Sequence, residues 1–161
     1  MTVQPQPVSF HPSSNRTPVC AVPADRSDGL EEAVLAMSVL IVEDEAMIAW
    51  TMESLLEEIG FTSIAIAASG EDAVRQATKT LPGLIISDIN LGPGGMDGVE
   101  AAVAMNSDVQ PPVVFITGYA SAEARSRIAR DVPGAIVLRK PVGLEELRQA
   151  INNAVGRREA N

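Results

Sequence analysis

Asp88 is the residue of this sequence best placed to do chemistry. It directly follows a short apolar run, residues 84–87, and precedes a loop that contains Gly92, Gly94 and Gly95. An apolar run of this length between turn residues is typical of a buried strand in a parallel sheet. Open α/β folds bind their ligands beyond the carboxyl ends of such strands, so we expect a functional site at Asp88. The alternative is an aspartate that only caps a helix or stabilises a turn.

Polar side chains also follow three of the other four apolar runs. They are Glu43 and Asp44 after the first run, Thr117 at the end of the fourth and Lys140 after the fifth. The carboxyl ends of parallel strands meet in one crevice, so we expect these side chains to surround Asp88. Three carboxylates in a site of reduced dielectric repel one another and require cations. Lys140 supplies one cation. The other that we expect is Mg²⁺, a hard ion that takes oxygen ligands and is often completed by substrate phosphate.

Together these groups are the parts of a phosphoryl-transfer site. Asp88 is a nucleophile, and the metal ion neutralises charge. The Thr117 hydroxyl and the Lys140 ammonium are suited to bind phosphoryl oxygens. The sequence therefore predicts phosphoryl transfer to Asp88.

Strand-like and helix-like segments alternate five times from residue 38 onward. Apolar residues at helical spacing follow each apolar run, and the first helix is expected to end at Gly60. The helix over 121–130 has the fewest apolar residues, so we expect looser packing there. This alternation predicts an α/β fold with a doubly wound, five-stranded parallel sheet. The apolar runs span 39–42, 63–67, 84–87, 113–117 and 135–139.

Composition excludes several classes of function. The chain has 161 residues, 46% of them apolar, and a formal net charge of −9, which disfavours nucleic acid and anionic membranes as partners. His11 is the only histidine and Cys20 the only cysteine. An intramolecular disulfide, a serine triad, a papain-like dyad and a His-ligated zinc site are therefore excluded. No segment has the pattern of a secretory signal or a membrane span, and we expect a cytoplasmic protein.

Residues 1–37 differ from the rest of the chain. Five prolines and many Ser, Thr and Gln residues leave this segment little apolar surface to bury. We expect a disordered N-terminal extension that is dispensable for folding, or a segment upstream of a translation start at Met37. Asp28 and Glu31 have the spacing of a capping box, which predicts one or two helical turns over 28–36. The folded domain is expected at 38–157 and a short tail at 158–161.

Five motifs lie at the predicted strand ends: VLIVEDE at 39–45, LIISDINL at 84–91, MDG at 96–98, FITGYA at 115–120 and LRKPV at 138–142. Together they resemble the response regulator receiver (CheY-like) domains of two-component signalling. The resemblance implies a flavodoxin-like fold with strand order 2-1-3-4-5 and helices on both faces. It also implies that Asp88 is the phosphoacceptor, Thr117 the switch hydroxyl and Lys140 the phosphate-pairing ammonium, with a cis Lys140-Pro141 bond. The Mg²⁺ ligands that it implies are Glu43, Asp44, Asp88 and the backbone carbonyl of Asn90.

The chain departs from the usual receiver pattern at two places. The loop from Asp88 to Asp97 is two residues longer, and Val137 replaces the aromatic residue usually found three positions before the lysine. Tyr119 follows Thr117 instead, which resembles the alphaproteobacterial FAT-GUY-type single-domain receivers, although Ile116 stands at the second position of that motif. We therefore expect Thr117 and Tyr119 to report phosphorylation through a rearrangement of residues 117–130.

The resemblance also implies partners. The phosphoryl donor would be a histidine kinase or a histidine phosphotransfer protein, and the chain would signal by protein contact or act as a phosphate sink. We expect a monomer or a weak phosphorylation-dependent dimer that assists its own phosphorylation and dephosphorylation and is not otherwise an enzyme. Trp50 is expected to be exposed and to anchor a partner, because it lies opposite the apolar face of its helix.

Two alternatives remain. One is a pseudo-receiver that binds a partner without being phosphorylated. The other is a small aspartyl-phosphate hydrolase, which would need a second aspartate where this chain has Asn90.

Overall fold

A computed structural model describes residues 30–105 and 110–159 of the chain. These residues form five β-strands separated by helices. The strands are β1 (Val39–Val42), β2 (Ile64–Ala67), β3 (Leu84–Ser87), β4 (Val113–Thr117) and β5 (Ile136–Arg139). The helices are α1 (Glu32–Leu35), α2 (Ala46–Ile59), α3 (Gly70–Thr80), α4 (Gly98–Ala104), α5 (Ala122–Asp131) and α6 (Leu144–Glu159).

The strands form one parallel sheet in the order β2-β1-β3-β4-β5. The predicted fold and strand order are therefore confirmed. The register aligns Val42 of β1 with Ser87 of β3, and Ser87 in turn with Phe115 of β4. Residues directly after β1 and β3 consequently lie side by side at the carboxyl edge of the sheet.

The sheet is covered on both faces, so its central strands β1, β3 and β4 are buried throughout. Along β1 and β3, successive side chains point alternately into two separate core clusters, as the two-residue period of a strand requires. One cluster is completed by α2 and α6, for example by Leu56 and Ile151. The other is completed by α3, α4 and α5 and includes Phe115. Only Ile128 of α5 is buried, which agrees with the sparse apolar pattern of that helix.

The helix ends follow from local sequence. Gly60 closes α2 with a φ of 120°, and its backbone N–H bonds back to the last turn. Ser69 caps α3, and Ser121 caps α5. Asp97 and Glu100 form a reciprocal capping box at the start of α4. Within the described ranges no helix is long and apolar enough to cross a membrane.

The N-terminal boundary of the packed domain differs from the sequence expectation. Residues 30–37 were expected to belong to a disordered extension, yet helix α1 packs on the core, and Val34 is only 7% exposed. The one or two helical turns expected over 28–36 are present as α1, whereas the expected disorder is wrong for residues 30–37, because Leu30, Val34, Leu35 and Met37 pack in the α2-α6 cluster. The helix begins after Glu31, so Glu31 is the N-cap residue and not the third residue of a capping box. Asp28 and the rest of residues 1–29 lie outside the described residues.

The C-terminal boundary also differs slightly. Helix α6 continues to Glu159, whereas the sequence placed the end of the domain at residue 157. Its apolar positions end at Val155, and the backbone carries the helix one turn further. Residues 160–161 are not among those described.

Candidate functional site

Strand register brings together three charged residues that are far apart in sequence. Glu43 follows β1, Asp88 follows β3 and Lys140 follows β5. The Lys140 ammonium donates hydrogen bonds to Glu43 Oε2 and to Asp88 Oδ2, both at 2.6 Å. Charge-assisted hydrogen bonds of this length are strong, so one lysine holds both carboxylates at the sheet edge.

Partial burial sets the charges in this cluster. Glu43 is only 5% exposed. Burial raises the pKa of Glu43 above its ordinary value, and the hydrogen bond from Lys140 offsets only part of that rise. Burial alone would lower the pKa of Lys140, but its hydrogen bonds to Asp88 and Glu43 outweigh burial and raise that pKa. Lys140 is therefore a permanent cation within reach of Asp88.

Asn90 and Thr117 extend the hydrogen-bond network from Asp88. The buried Thr117 hydroxyl donates to the carbonyl oxygen of Tyr119 at 3.1 Å and accepts from Asn90 Nδ2 at 3.4 Å. The backbone N–H of Asn90 donates to Asp88 Oδ1 at 3.1 Å. Asn90 thus connects the carboxylate of Asp88 with the hydroxyl of Thr117. The sequence had given Asn90 only a backbone role, and its amide contact depends on a loop conformation that spacing does not specify.

Asp44 lies at the open end of the site. It is exposed, and a methyl group added at Gly92 would lie 3.3 Å from Asp44 Oδ2, so the glycine-rich loop packs closely against this carboxylate. Glu43 instead points inward and also accepts from the backbone N–H of Glu45 at 3.3 Å. Of the two acidic residues, Glu43 therefore points inward and pairs with Lys140, whereas Asp44 is exposed.

The donor atoms fit a hard divalent cation. Asp44, Asp88 and the Asn90 carbonyl supply oxygen, which Mg²⁺ prefers, and three carboxylates against one ammonium leave an excess of negative charge. Among the described residues no three acidic, histidine or cysteine side chains converge on one ion position. Mg²⁺ does not require this, because it usually takes one or two carboxylates and completes its shell with water and phosphate.

Residues around the site have the backbone geometry and the exposure that were expected of them. The Lys140-Pro141 bond is cis, as the resemblance implied. Trp50 is 57% exposed on α2 beside the exposed Met47, which confirms its predicted exposure. Tyr119 is 75% exposed and borders a cavity of about 300 Å³ that Thr117 and Val137 also line.

Sequence reasoning missed two residues that hold the loop after Asp88. Glu71 of α3 accepts a hydrogen bond from the backbone N–H of Met96 at 2.9 Å. Arg127 of α5 forms an ion pair with Asp97, the N-cap of α4. The capping spacing of Asp97 and Glu100 is readable in the sequence, but partners 25 or more residues away depend on the tertiary fold.

Comparison with known proteins gives consistent relatives. Residues 39–152 match the response regulator receiver domain family. The transcriptional regulatory protein PdtaR of Mycobacterium tuberculosis is 33% identical over 126 residues, which are 78% of this chain and 60% of PdtaR. The phyllosphere-induced regulator PhyR of Methylorubrum extorquens is 39% identical over 88 residues, 54% of this chain and 33% of PhyR. The chain thus spans less than two thirds of these relatives.

Solved structures agree with the sequence matches. The receiver domain of a modulated diguanylate cyclase from Desulfovibrio desulfuricans superposes with a TM-score of 0.69 and 34% identity, covering 78% of this chain and 98% of that one. The chemotaxis protein CheY4 of Vibrio cholerae superposes with a TM-score of 0.64 and 28% identity, covering 74% and 98%. The family match covers more than half of the chain and agrees with the strand order. This chain belongs to the response regulator receiver domain family.

Proposed function

We propose that this chain is a phosphoacceptor that takes a phosphoryl group onto Asp88 from a histidine kinase or a histidine phosphotransfer protein, in a reaction that depends on Mg²⁺. The observation that carries the proposal is the Asp88 carboxylate at the carboxyl edge of the sheet, in contact with Lys140 at 2.6 Å. A carboxylate that served only as a turn or cap residue would have no need of a partly buried ammonium partner.

The proposed reaction moves one phosphoryl group between two nucleophiles. An Asp88 carboxylate oxygen attacks phosphorus, a P–O bond forms, and the P–N bond to the donor histidine breaks as the imidazole leaves. When bound at Asp44, Asp88 and the Asn90 carbonyl, Mg²⁺ would neutralise charge on the phosphoryl oxygens. Lys140 and the Thr117 hydroxyl would then bind phosphoryl oxygens, and each would leave its present partner to do so.

The same residues support hydrolysis of the acyl phosphate. The chain would assist its own phosphorylation and dephosphorylation through these contacts, without acting on another substrate. Transfer onto Asp88 with a limited lifetime suits a signalling domain.

Signalling by protein contact is the favoured output, with a phosphate sink as the alternative. A PhyR structure from Bartonella quintana, 28% identical and covered to 51% of its length, is described as an anti-anti-sigma factor. That description supports a protein target. We further propose that the chain is a monomer or forms a weak dimer when it is phosphorylated.

The proposal is tested by intact mass after treatment with a small acyl-phosphate donor, with and without Mg²⁺. We expect the mass to increase by one phosphoryl group only when Mg²⁺ is present. Asp88→Asn should abolish the gain, while the matched control Asp131→Asn, on the surface at the end of α5, should keep it. Labelling that survives Asp88→Asn would contradict the assignment.

A pseudo-receiver is the second candidate function. It would show no mass gain with any donor, with or without metal. The presence of Glu43, Asp88 and Lys140 in one hydrogen-bonded cluster favours the phosphoacceptor.

A further inference from the structure

The loop between Asp88 and α4 is fastened to the start of α3. Glu71, in the first turn of α3, accepts the Met96 backbone N–H at 2.9 Å. Both oxygens of its carboxylate lie 3.3–3.4 Å from where a methyl group on Gly95 would stand. The hydrogen bond from Met96 lowers the pKa of Glu71, so the carboxylate is ionised at neutral pH. The Glu71 carboxylate thus contacts two consecutive residues of the loop, Gly95 and Met96.

Close backbone packing supports the same contact. A methyl group at Gly70 would lie 2.7 Å from the Met96 carbonyl oxygen, so helix and loop approach as closely as a glycine permits. The Met96 side chain packs on the core cluster of α3 and α4. The loop end is therefore held on both sides of the Met96 peptide.

The other end of the loop reaches Asp44, one of the proposed Mg²⁺ ligands. Gly92 has a φ of 74°, and its Cα faces Asp44 so closely that an added methyl group would lie 3.3 Å from Asp44 Oδ2. Asp44 is exposed, and the room around its carboxylate depends on where Gly92 lies. Only three residues separate Gly92 from Met96, so a displacement of Met96 would also displace Gly92.

We propose that Glu71 is a positioning residue for Mg²⁺ binding: by holding Met96, it keeps the glycine-rich loop where Gly92 leaves Asp44 free to bind the ion. This inference rests on the proposed function, since it concerns the same metal. Residues that orient metal ligands affect affinity without touching the metal.

Three variants separate positioning from simple charge. Glu71→Ala removes the acceptor and the charge, Glu71→Gln keeps an acceptor oxygen but not the charge, and Glu58→Ala removes an exposed glutamate on α2 as the matched control. Two quantities are measured in the full chain without a phosphodonor: the Kd for Mg²⁺ by NMR titration, and the exchange rate of the Met96 amide without metal. Circular dichroism checks that each variant is folded.

We expect Glu71→Ala to raise the Kd for Mg²⁺ by about two- to twelvefold, the range that one net hydrogen bond supports, and to speed Met96 exchange. Glu71→Gln should keep the Kd for Mg²⁺ and the Met96 exchange rate close to their wild-type values. Glu58→Ala should change neither the Kd nor the exchange rate. If Glu71→Gln and Glu71→Ala weakened Mg²⁺ binding equally, the effect would come from the lost negative charge and not from the lost hydrogen bond. That result would overturn the proposal. Unchanged Met96 exchange, or an unchanged Kd, in Glu71→Ala would also overturn it. A wild-type chain that binds no Mg²⁺ would instead contradict the proposed function itself.

Discussion

At the scale of single residues, the site is defined by one ammonium shared between two carboxylates. Lys140 reaches Glu43 and Asp88 at the same distance of 2.6 Å. Removing Lys140 would leave the carboxylates of Glu43 and Asp88 without their shared cation, which is costly. Lys140 therefore stabilises the unphosphorylated site, and the phosphoryl group would compete with the carboxylates for it.

Glu43 gives a prediction for stability against pH. Its pKa in the folded chain is raised, chiefly by burial, so the folded state binds a proton that the unfolded state releases as pH rises through about 4.3. Glu43 therefore lowers stability above that pH. We expect Glu43→Gln to raise the free energy of unfolding of the metal-free chain at pH 7, and the gain to disappear as pH falls below about 4. Urea denaturation at several pH values measures it.

The control for this experiment is Glu45→Gln, two residues away and exposed. It should leave the free energy of unfolding nearly unchanged at each pH. A loss of stability in Glu43→Gln at pH 7 would mean that the hydrogen bond from Lys140 outweighs the burial of Glu43, contrary to the raised pKa.

The sequence predicts which residues meet at the site but not how they are hydrogen-bonded. Asp88, Glu43 and Lys140 could be placed because each follows a strand, and parallel register aligns strand ends. The amide contact of Asn90 with Thr117 could not, because it depends on the path of a loop. Glu71 lies one helix away, and nothing in its spacing indicates the Met96 peptide.

At the scale of elements, the junction between β3 and α4 is the tightest point of the site. The Gly98 backbone N–H donates to the Ile89 carbonyl at 2.9 Å. A methyl group at Gly98 would lie 1.8 Å from the Asp88 carbonyl oxygen and 2.7 Å from Ser87 Oγ. Helix α4 can therefore start this close to Asp88 only because residue 98 has no side chain.

We expect Gly98→Ala to destabilise the chain by about 2–4 kcal/mol, because the clash is with backbone and cannot be relieved by a rotamer change. The shift would also displace Asp88, so phosphorylation measured by intact mass should fall in the fraction that remains folded. Thermal denaturation followed by circular dichroism measures the stability change.

Gly156 provides the matched control within α6. A methyl group there would meet nothing within 4 Å, and its φ is not in the left-handed region. Gly156→Ala should therefore stabilise the chain by up to about 1 kcal/mol, because alanine is the better helix former. A Gly98→Ala chain as stable as wild type would show that the β3-α4 junction can open without cost.

The strands were the best-predicted elements. Three of the five match the apolar runs at both ends, and β2 and β5 begin one residue later than their runs. Short apolar runs between turn residues leave little choice of boundary. Helices are less well defined by the sequence: Val103 lies one helical turn after the buried Val99, yet it is 42% exposed, because only one face of the short α4 contacts the core.

At the scale of the whole molecule, the sheet order and both core clusters follow from the alternation of strands and helices. The N-terminal boundary does not, because the overall composition of residues 1–37 hides the short segment, residues 30–37, that packs on the core. Leu30, Leu35 and Met37 are too few to give a periodic signal. Their contact partners, on α2 and α6, are far away in sequence.

Truncation tests the revised boundary. A chain that begins at Met37 loses the buried Val34, and fully burying a valine side chain contributes about 1.5–3 kcal/mol. We expect a net loss of about 1–2 kcal/mol in urea denaturation, while a chain that begins at Leu30 should lose little. Val34→Ala in the full chain should show most of the loss, and the exposed neighbour Ala33→Ser should not.

Phosphorylation of Asp88 should persist in the shorter chain, because β1, β3 and β5 remain intact. Equal stability of the chains that begin at Met37 and Leu30 would return the boundary to Ser38.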